Sequence, residues 1–348
     1  MTNFNLTRRS FLIGASIAGS TLALPGLAKA QSGGRVIVGT WGGDYNRLLK
    51  EKVAPIVAKN GYRLVTDTGS ATARKTKMIT AAQIGGGVMD VACLSDSDMY
   101  HMNTQKVLRK ISDLNIPNYE NVFAQFKTDY SIPHIYSGLV IVYDKSQVSK
   151  APTSIADLWR DEYKGAVGFS DILFNYMLMA GAMAQGGDAN DFDLGKKALL
   201  DLKKAGNGRV FPSNEAIANA FEAKEIKATL MWKARAFQWQ KAGLDVAAVA
   251  PTEGAIPVAF TAAATSFATN PDGAADVLNV MLDPDMQLEF ANAMGYLPTV
   301  SNAHISDEMR QTLGFTDAER DAFVAPDFEY IAHQLQDTIT WWNQTFKA

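Results

Sequence analysis

Cysteine is nearly absent: Cys93 is the only one in 348 residues. No intramolecular disulfide can form, even in an oxidising compartment, so burial has to hold the fold together. Cys93 lies in the apolar run Val91-Ala92-Cys93-Leu94 and reads as core rather than nucleophile. Histidine is scarce too. His101, His134, His304 and His333 are scattered, and none stands at metal-ligand spacing from another or from Cys93. A basic excess is missing, with 33 Lys and Arg against 36 Asp and Glu and a formal net charge of −3. That balance argues against a nucleic-acid binder. No GxSxG elbow or Walker loop occurs, and the glycine-rich stretch 181–187 lacks the lysine. The carboxylates Asp96/Asp98 and Asp188/Asp191/Asp193 fall in loops, where solvation and capping explain them. There is no adjacent tyrosine pair of the kind ferric-ion binders use. No catalytic residue, metal or cofactor is therefore expected, and the chain reads as a non-enzyme.

Hydrophobic residues make up 47% of the chain, aromatics 10% and charged residues 20%, the composition of a soluble globular protein. The length suggests two domains. Residues 1–30 read as an address rather than as structure. Thr7-Arg8-Arg9-Ser10-Phe11-Leu12 is a twin-arginine pattern, a moderately apolar stretch runs to Leu24, and Ala28-Lys29-Ala30 is a small-x-small exit. The apolar stretch is too short, and too rich in Gly and Ser, for a membrane anchor. The expectation is export, cleavage after Ala30 and a periplasmic destination. The remaining chain carries 30 basic and 36 acidic residues, which disfavours binding to anionic surfaces.

Beyond the leader, β-then-α units alternate. Strands are expected at 35–39, 62–66 and 91–94, with helices over 45–59 and 70–85 between them, closed by Gly61 and Gly85. Such units predict a parallel sheet covered by helices, with ligands beyond the carboxyl ends of the strands. Three loops are singled out: Trp41–Asp44, Thr68–Arg74 and Ser95–Asp98. The β-rich run 132–144 suits a crossing between domains. Ser154 and Asp157 stand at capping-box spacing, a strand follows at 166–169, and a second α/β set runs to about 250. A strand pair or bent strand is expected over 256–268. Asn270-Pro271 and Asp283-Pro284 open helices, Gly295 closes the second, and an amphipathic helical tail follows from Ser306. Two crossings without a flexible linker predict a hinge.

Several segments, in order, carry a family resemblance: Trp41-Gly42-Gly43, Gly87-Val88-Met89-Asp90-Val91, Pro152-Thr153-Ser154-Ile155-Ala156-Asp157-Leu158-Trp159, Leu230-Met231-Trp232, Ala250-Pro251-Thr252-Glu253-Gly254, Leu282-Asp283-Pro284 and Gly295-Tyr296-Leu297-Pro298-Thr299. Over essentially the whole exported chain, the sequence resembles the periplasmic solute-binding proteins of ABC importers, in the spermidine/putrescine-type group. The resemblance implies an α/β, two-lobed type II binding protein. Each lobe would hold a central sheet flanked by helices, the two joined by a two-strand hinge. Lobe 1 would comprise 31–142 plus 255–300 and lobe 2 143–254, with the helical segment 301–348 packed across both. The implied partners are a small solute and an ABC importer permease, with no nucleic acid, and a monomer is expected.

The chain departs from the polyamine pattern. Where polyamine binders place acids, it has Ile172 and Asn175, with Asp171 adjacent, and where they place an aromatic and an acid it has Val258 and Phe260. Losing carboxylates removes the partners that make desolvating an ammonium tolerable. Arg74 and Arg235 fall in segments expected to face the cleft, and arginine forks bind carboxylate or phosphate. The expected ligand site is Trp41, Gly43, Tyr45, Arg74, Ser95, Asp96, Asp171, Trp232, Arg235, Phe260 and Tyr296. The expected ligand is anionic or zwitterionic: amino-acid-like, opine-like or phosphonate-like. A polyamine is the alternative; a periplasmic enzyme or a sensory module on the same fold is the alternative of another class.

Overall fold

Thirteen residues of continuous strand, Ile132–Asp144, run through the middle of the molecule and are buried along nearly their whole length. The computed structural model describes residues 34–348; the twin-arginine segment and its Ala30 exit lie outside the described residues. Ten strands form the sheet: β1 (Arg35–Thr40), β2 (Arg63–Thr68), β3 (Val91–Ser95), β4 (Ile132–Asp144), β5 (Val167–Ser170), β6 (Arg209–Phe211), β7 (Ala228–Trp232), β8 (Val246–Val249), β9 (Ile256–Ala264) and β10 (Leu297–Pro298). The order is β2-β1-β3-β9-β4-β7-β5-β6, with β8 and β10 also pairing with β4.

This order divides at β4. Its first part pairs antiparallel with β9, from Ile132 opposite Ala262 to Leu139 opposite Ile256. Its last part pairs with β7 and β8 instead. On one side β1 pairs parallel with β2 and β3; on the other β5 pairs parallel with β6 and β7. Each half is a helix-covered α/β sheet, and the chain passes between halves through β4 and returns at the start of β9. The fold is the two-lobed α/β arrangement with a two-strand hinge.

Local chemistry sets the boundaries. Ser70 caps the helix Ala71–Ile84 by accepting from the Ala73 N–H, and Gly85 ends it in the left-handed conformation. Asn270 and Asp283 cap the helices Pro271–Met281 and Pro284–Met294, the second closed by Gly295 at φ +74°. The expected helix over 45–59 is realised as Gly43–Lys59 with a π-helical turn at Leu49–Val53. Ser154 and Asp157 do form a capping box, but on a 3₁₀ segment, Ile155–Trp159.

The strand expected over 256–268 stops at Ala264. Beyond it the chain wraps onto Asp90, which is 1% exposed and accepts from the Thr269 and Asn270 N–H groups on one oxygen and from the Ile37 N–H on the other. A buried carboxylate with that many donors is satisfied only if the chain bends round it.

The tail forms helices Asp307–Leu313, Asp317–Asp321 and Phe328–Trp341. Phe328 lies 6.1 Å from Tyr100 in the first half and Tyr330 lies 5.1 Å from Phe192 in the second, so the last helix touches both. Among the described residues, no helix is long and apolar enough to cross a membrane.

Candidate functional site

The carboxyl ends of five strands converge on one cleft of 970 Å³ between the halves. The loop after β1 brings Trp41, Gly42, Gly43 and Tyr45. The loop after β2 brings Ser70, Ala71 and Thr72, and the one after β3 brings Ser95, Ser97 and Asp98. From the other half come Asp171 to Tyr176 after β5, and Trp232 and Arg235 at the end of β7. All three loops singled out in the sequence contribute to the wall. Gly43 sits at φ +62°, a conformation that turns the chain from β1 into its helix and favours glycine.

The first wall is aromatic and dry beneath. Trp41 meets Tyr45 and Phe260 edge-on at 5.0 and 5.4 Å, and Phe260 meets Tyr296 at 5.1 Å. The Tyr45 hydroxyl is 2.7 Å from His134 Nδ1. His134 is fully buried, and desolvation lowers its pKa to about 3, so the imidazole stays neutral. Burial raises the Tyr45 and Tyr296 hydroxyls above the ordinary tyrosine value, so both remain protonated.

Arg74 departs from expectation. It is 1% exposed and lies behind this wall, not in it. Nε donates to Cys93 O at 3.0 Å, and Nη1 donates to Thr40 O at 2.8 Å and Gly69 O at 2.5 Å. Its guanidinium sits 4.7 Å from the Trp41 ring centroid. The helix turns Arg74 inward together with Met78 and Ala81, and it ties the ends of β1, β2 and β3 together. Asp96 is likewise outside the cleft lining. Its oxygens accept from Ala259 N at 2.7 Å, Ser97 N at 2.8 Å and, from the other half, the Tyr176 hydroxyl at 3.5 Å. Desolvation raises its pKa to about 7 against those hydrogen bonds.

The second wall carries charge. Trp232 packs edge-on against Tyr176 at 4.8 Å. Arg235 Nη1 donates to Gln238 Oε1 at 2.9 Å, and Gln238 in turn donates to Met294 O of the first half at 2.7 Å. Asp171 accepts from Trp342 Nε1 at 2.6 Å and Lys347 Nζ at 2.9 Å. Asn175 presents a buried Oδ1 with no partner.

Of the expected residues, Trp41, Gly43, Tyr45, Ser95, Asp171, Trp232, Arg235, Phe260 and Tyr296 line the cleft; Arg74 and Asp96 do not. Ile172, Asn175 and Val258, read as replacements for acids or aromatics, line it as well. Sequence reasoning missed lining residues in both halves, among them Lys75, Tyr176, Glu215 and Gln238, and a stripe in the last helix, where Ile331, Leu335 and Ile339 line the cleft at i, i+4 and i+8. That spacing was legible as an amphipathic stripe; what it covers was not. Among the described residues, no group of three or more His, Cys, Asp or Glu is arranged to hold a metal.

Comparison with known proteins follows the same outline. The family of bacterial extracellular solute-binding proteins matches residues 51–316. The spermidine/putrescine-binding periplasmic protein of Escherichia coli K12 is 28% identical over 219 residues, which is 60% of this chain and 63% of that protein. The match thus spans less than two thirds of that relative's length. A spermidine/putrescine ABC transporter substrate-binding protein from Streptococcus pneumoniae superposes with a TM-score of 0.75 at 22% identity, covering 90% of this chain and 99% of that one. A GABA receptor superposes with a TM-score of 0.76 at 19% identity, covering 90% and 98%.

Proposed function

Because the chain belongs to the bacterial extracellular solute-binding proteins, we propose that it captures a small organic solute bearing an anionic or zwitterionic group and delivers it to the permease of an ABC importer. One observation carries the ligand class: of the cleft's charged groups, Arg235 has the weakest ion-pair partner. Asp44 pairs with Arg47, Asp98 with Lys75 and Asp171 with Lys347. Arg235 donates to Gln238 and has one acidic neighbour, Glu215, which also lines the cleft but lies 3.8 Å away and largely in solvent, and its buried Nε has no partner. A carboxylate or phosphonate entering beside Trp232 would satisfy that fork. Across the cleft, the helix that starts at Ala71 has no acid in its first turn, and Ser70, Ala71 and Thr72 at its start line the same space. The fold itself does not choose, since its neighbours include both a spermidine/putrescine transporter component and a GABA receptor.

The mechanism is differential affinity. Lobe 1 (31–142 plus 255–300) carries the aromatic wall and lobe 2 (143–254) carries Arg235. A solute that touches both walls only when β4 and β9 flex shut shifts the population to the closed state. The permease reads that state from the paired lobe surfaces. Export through the twin-arginine leader with cleavage after Ala30, and action as a monomer, complete the reading.

Calorimetry with three five-carbon probes tests it: glutarate, 5-aminopentanoate and 1,5-diaminopentane. Heat of binding is expected from the acid-bearing probes, with the solute recovered unchanged. Binding of the diamine alone would overturn the reading in favour of polyamine transport, which the named relative and the aromatic wall favour.

A further inference from the structure

Asp171 occupies the place where an α/β sheet normally offers a ligand-binding group, the first residue beyond the carboxyl end of β5. Its carboxylate is nonetheless spoken for. Trp342 Nε1 takes one oxygen and Lys347 Nζ the other, at 2.6 and 2.9 Å, from residues 171 and 176 positions further along the chain. The tail segment is firmly seated. Trp342 is 1% exposed and Phe346 packs on it at 4.7 Å. Lys203 Nζ donates to Phe346 O at 2.7 Å, and Lys347 Nζ also donates to Asn343 Oδ1 at 3.1 Å. Just upstream, Ile331, Leu335 and Ile339 turn an apolar stripe to the cleft.

We infer that the tail is a specificity element: Trp342 and Lys347 occupy and neutralise the Asp171 carboxylate, and so close that position of the second wall to ammonium ligands. The physical argument is competition. An ammonium entering a closing cleft loses its water and needs an anion in return. At Asp171 that anion already holds a built-in ammonium and an indole N–H, and an incoming amine gains nothing unless it displaces them. The neighbouring apolar stripe provides no substitute acceptor and lowers the local dielectric, which strengthens the internal pair. The inference rests on the ligand class proposed above, and it assigns the cause of that class partly to residues outside both lobes.

Lys347 and Asp171 are each about one-third exposed, 33% and 32%, so neither substitution empties the core. The test is calorimetry on Lys347→Met with 1,5-diaminopentane and glutarate, with the thermal midpoint confirming the fold. Freeing Asp171 is expected to raise diamine affinity about two- to fivefold, the scale of one partly exposed ion pair gained. Lys347→Met combined with Asp171→Asn is expected to return it to the wild-type value. Trp342→Phe keeps the aromatic packing, removes the other donor and should shift affinity in the same direction by less. An unchanged diamine affinity in Lys347→Met overturns the inference, whatever the wild type binds. Wild-type preference for the diamine over glutarate overturns the proposed ligand class instead, so the two failures are distinguishable.

Discussion

The two walls of the cleft are built on opposite principles. The first is a set of rings held from behind by buried polar groups: Tyr45 by His134, Trp41 by Arg74, and Arg74 by three backbone carbonyls. The second presents charge at its surface and steadies it with partners that remain partly in solvent: Arg235 with Gln238 and Glu215, Asp171 with Lys347. One wall supplies shape and cannot rearrange without unfolding locally. The other supplies charge, and single side chains there can be exchanged without disturbing what lies beneath. An arginine behind the first wall and another in the second make the contrast testable, because the same residue type stands in the two settings.

Arg74→Met is expected to have the largest effect. Three carbonyls lose the Arg74 donor in a dry site, with Thr40 O keeping the Gly69 N–H, at about 1–3 kcal/mol for a group left unsatisfied. A loss of about 3 kcal/mol or more in urea unfolding should follow, with binding lost only as the fold loosens. Arg235→Ala should do the reverse. It is 29% exposed, so stability should hold within about 0.5 kcal/mol. Affinity for glutarate should fall by about 2 kcal/mol, the cost of stranding a charged hydrogen-bond partner. If calorimetry and unfolding gave these results with the two arginines exchanged, the assignment of shape to one wall and charge to the other would fail.

Arg74 also shows what a sequence can and cannot say. The strand-end loops were readable because short β-then-α units leave the chain few ways to fold, and because Ser70, Gly85, Asn270, Asp283 and Gly295 mark helix ends chemically. The direction in which Arg74 points was also written there, since Arg74, Met78 and Ala81 repeat at the spacing of one helix face. Its charge, beside Lys75 and Lys77, masked that pattern. Asp96 stands outside the cleft lining for a different reason. Its partners Ala259 and Tyr176 are 163 and 80 residues away, and nothing local announces them. The tail is a third case. An amphipathic stripe predicts a buried face but not its partner, and here the partner is the cleft itself.

The smallest effect expected is a pH slope, and it comes from two groups that oppose each other. Asp96 has a native pKa of about 7 against an ordinary 3.8, so the folded protein keeps a proton that the unfolded chain releases. Its contribution to stability is lost as pH rises from about 4 to about 7. His134 has a native pKa of about 3 against an ordinary 6.5, so the unfolded chain takes a proton that the fold refuses. That contribution is lost as pH falls from 6.5 towards 3. Over the shared window the slopes have opposite signs, so the contributions of these two groups largely cancel in the wild type. Removing one exposes the other. Asp96→Asn should make stability rise with pH through that window, and His134→Gln should make it fall, each by at most about 1.4 kcal/mol per unit for one proton. Urea midpoints at pH 4, 5 and 6 read the slope separately from any uniform loss caused by the substitution. Parallel curves for the wild type and both variants would mean that water reaches these groups, and the first wall would then owe its rigidity to something other than its dry, hydrogen-bonded backing.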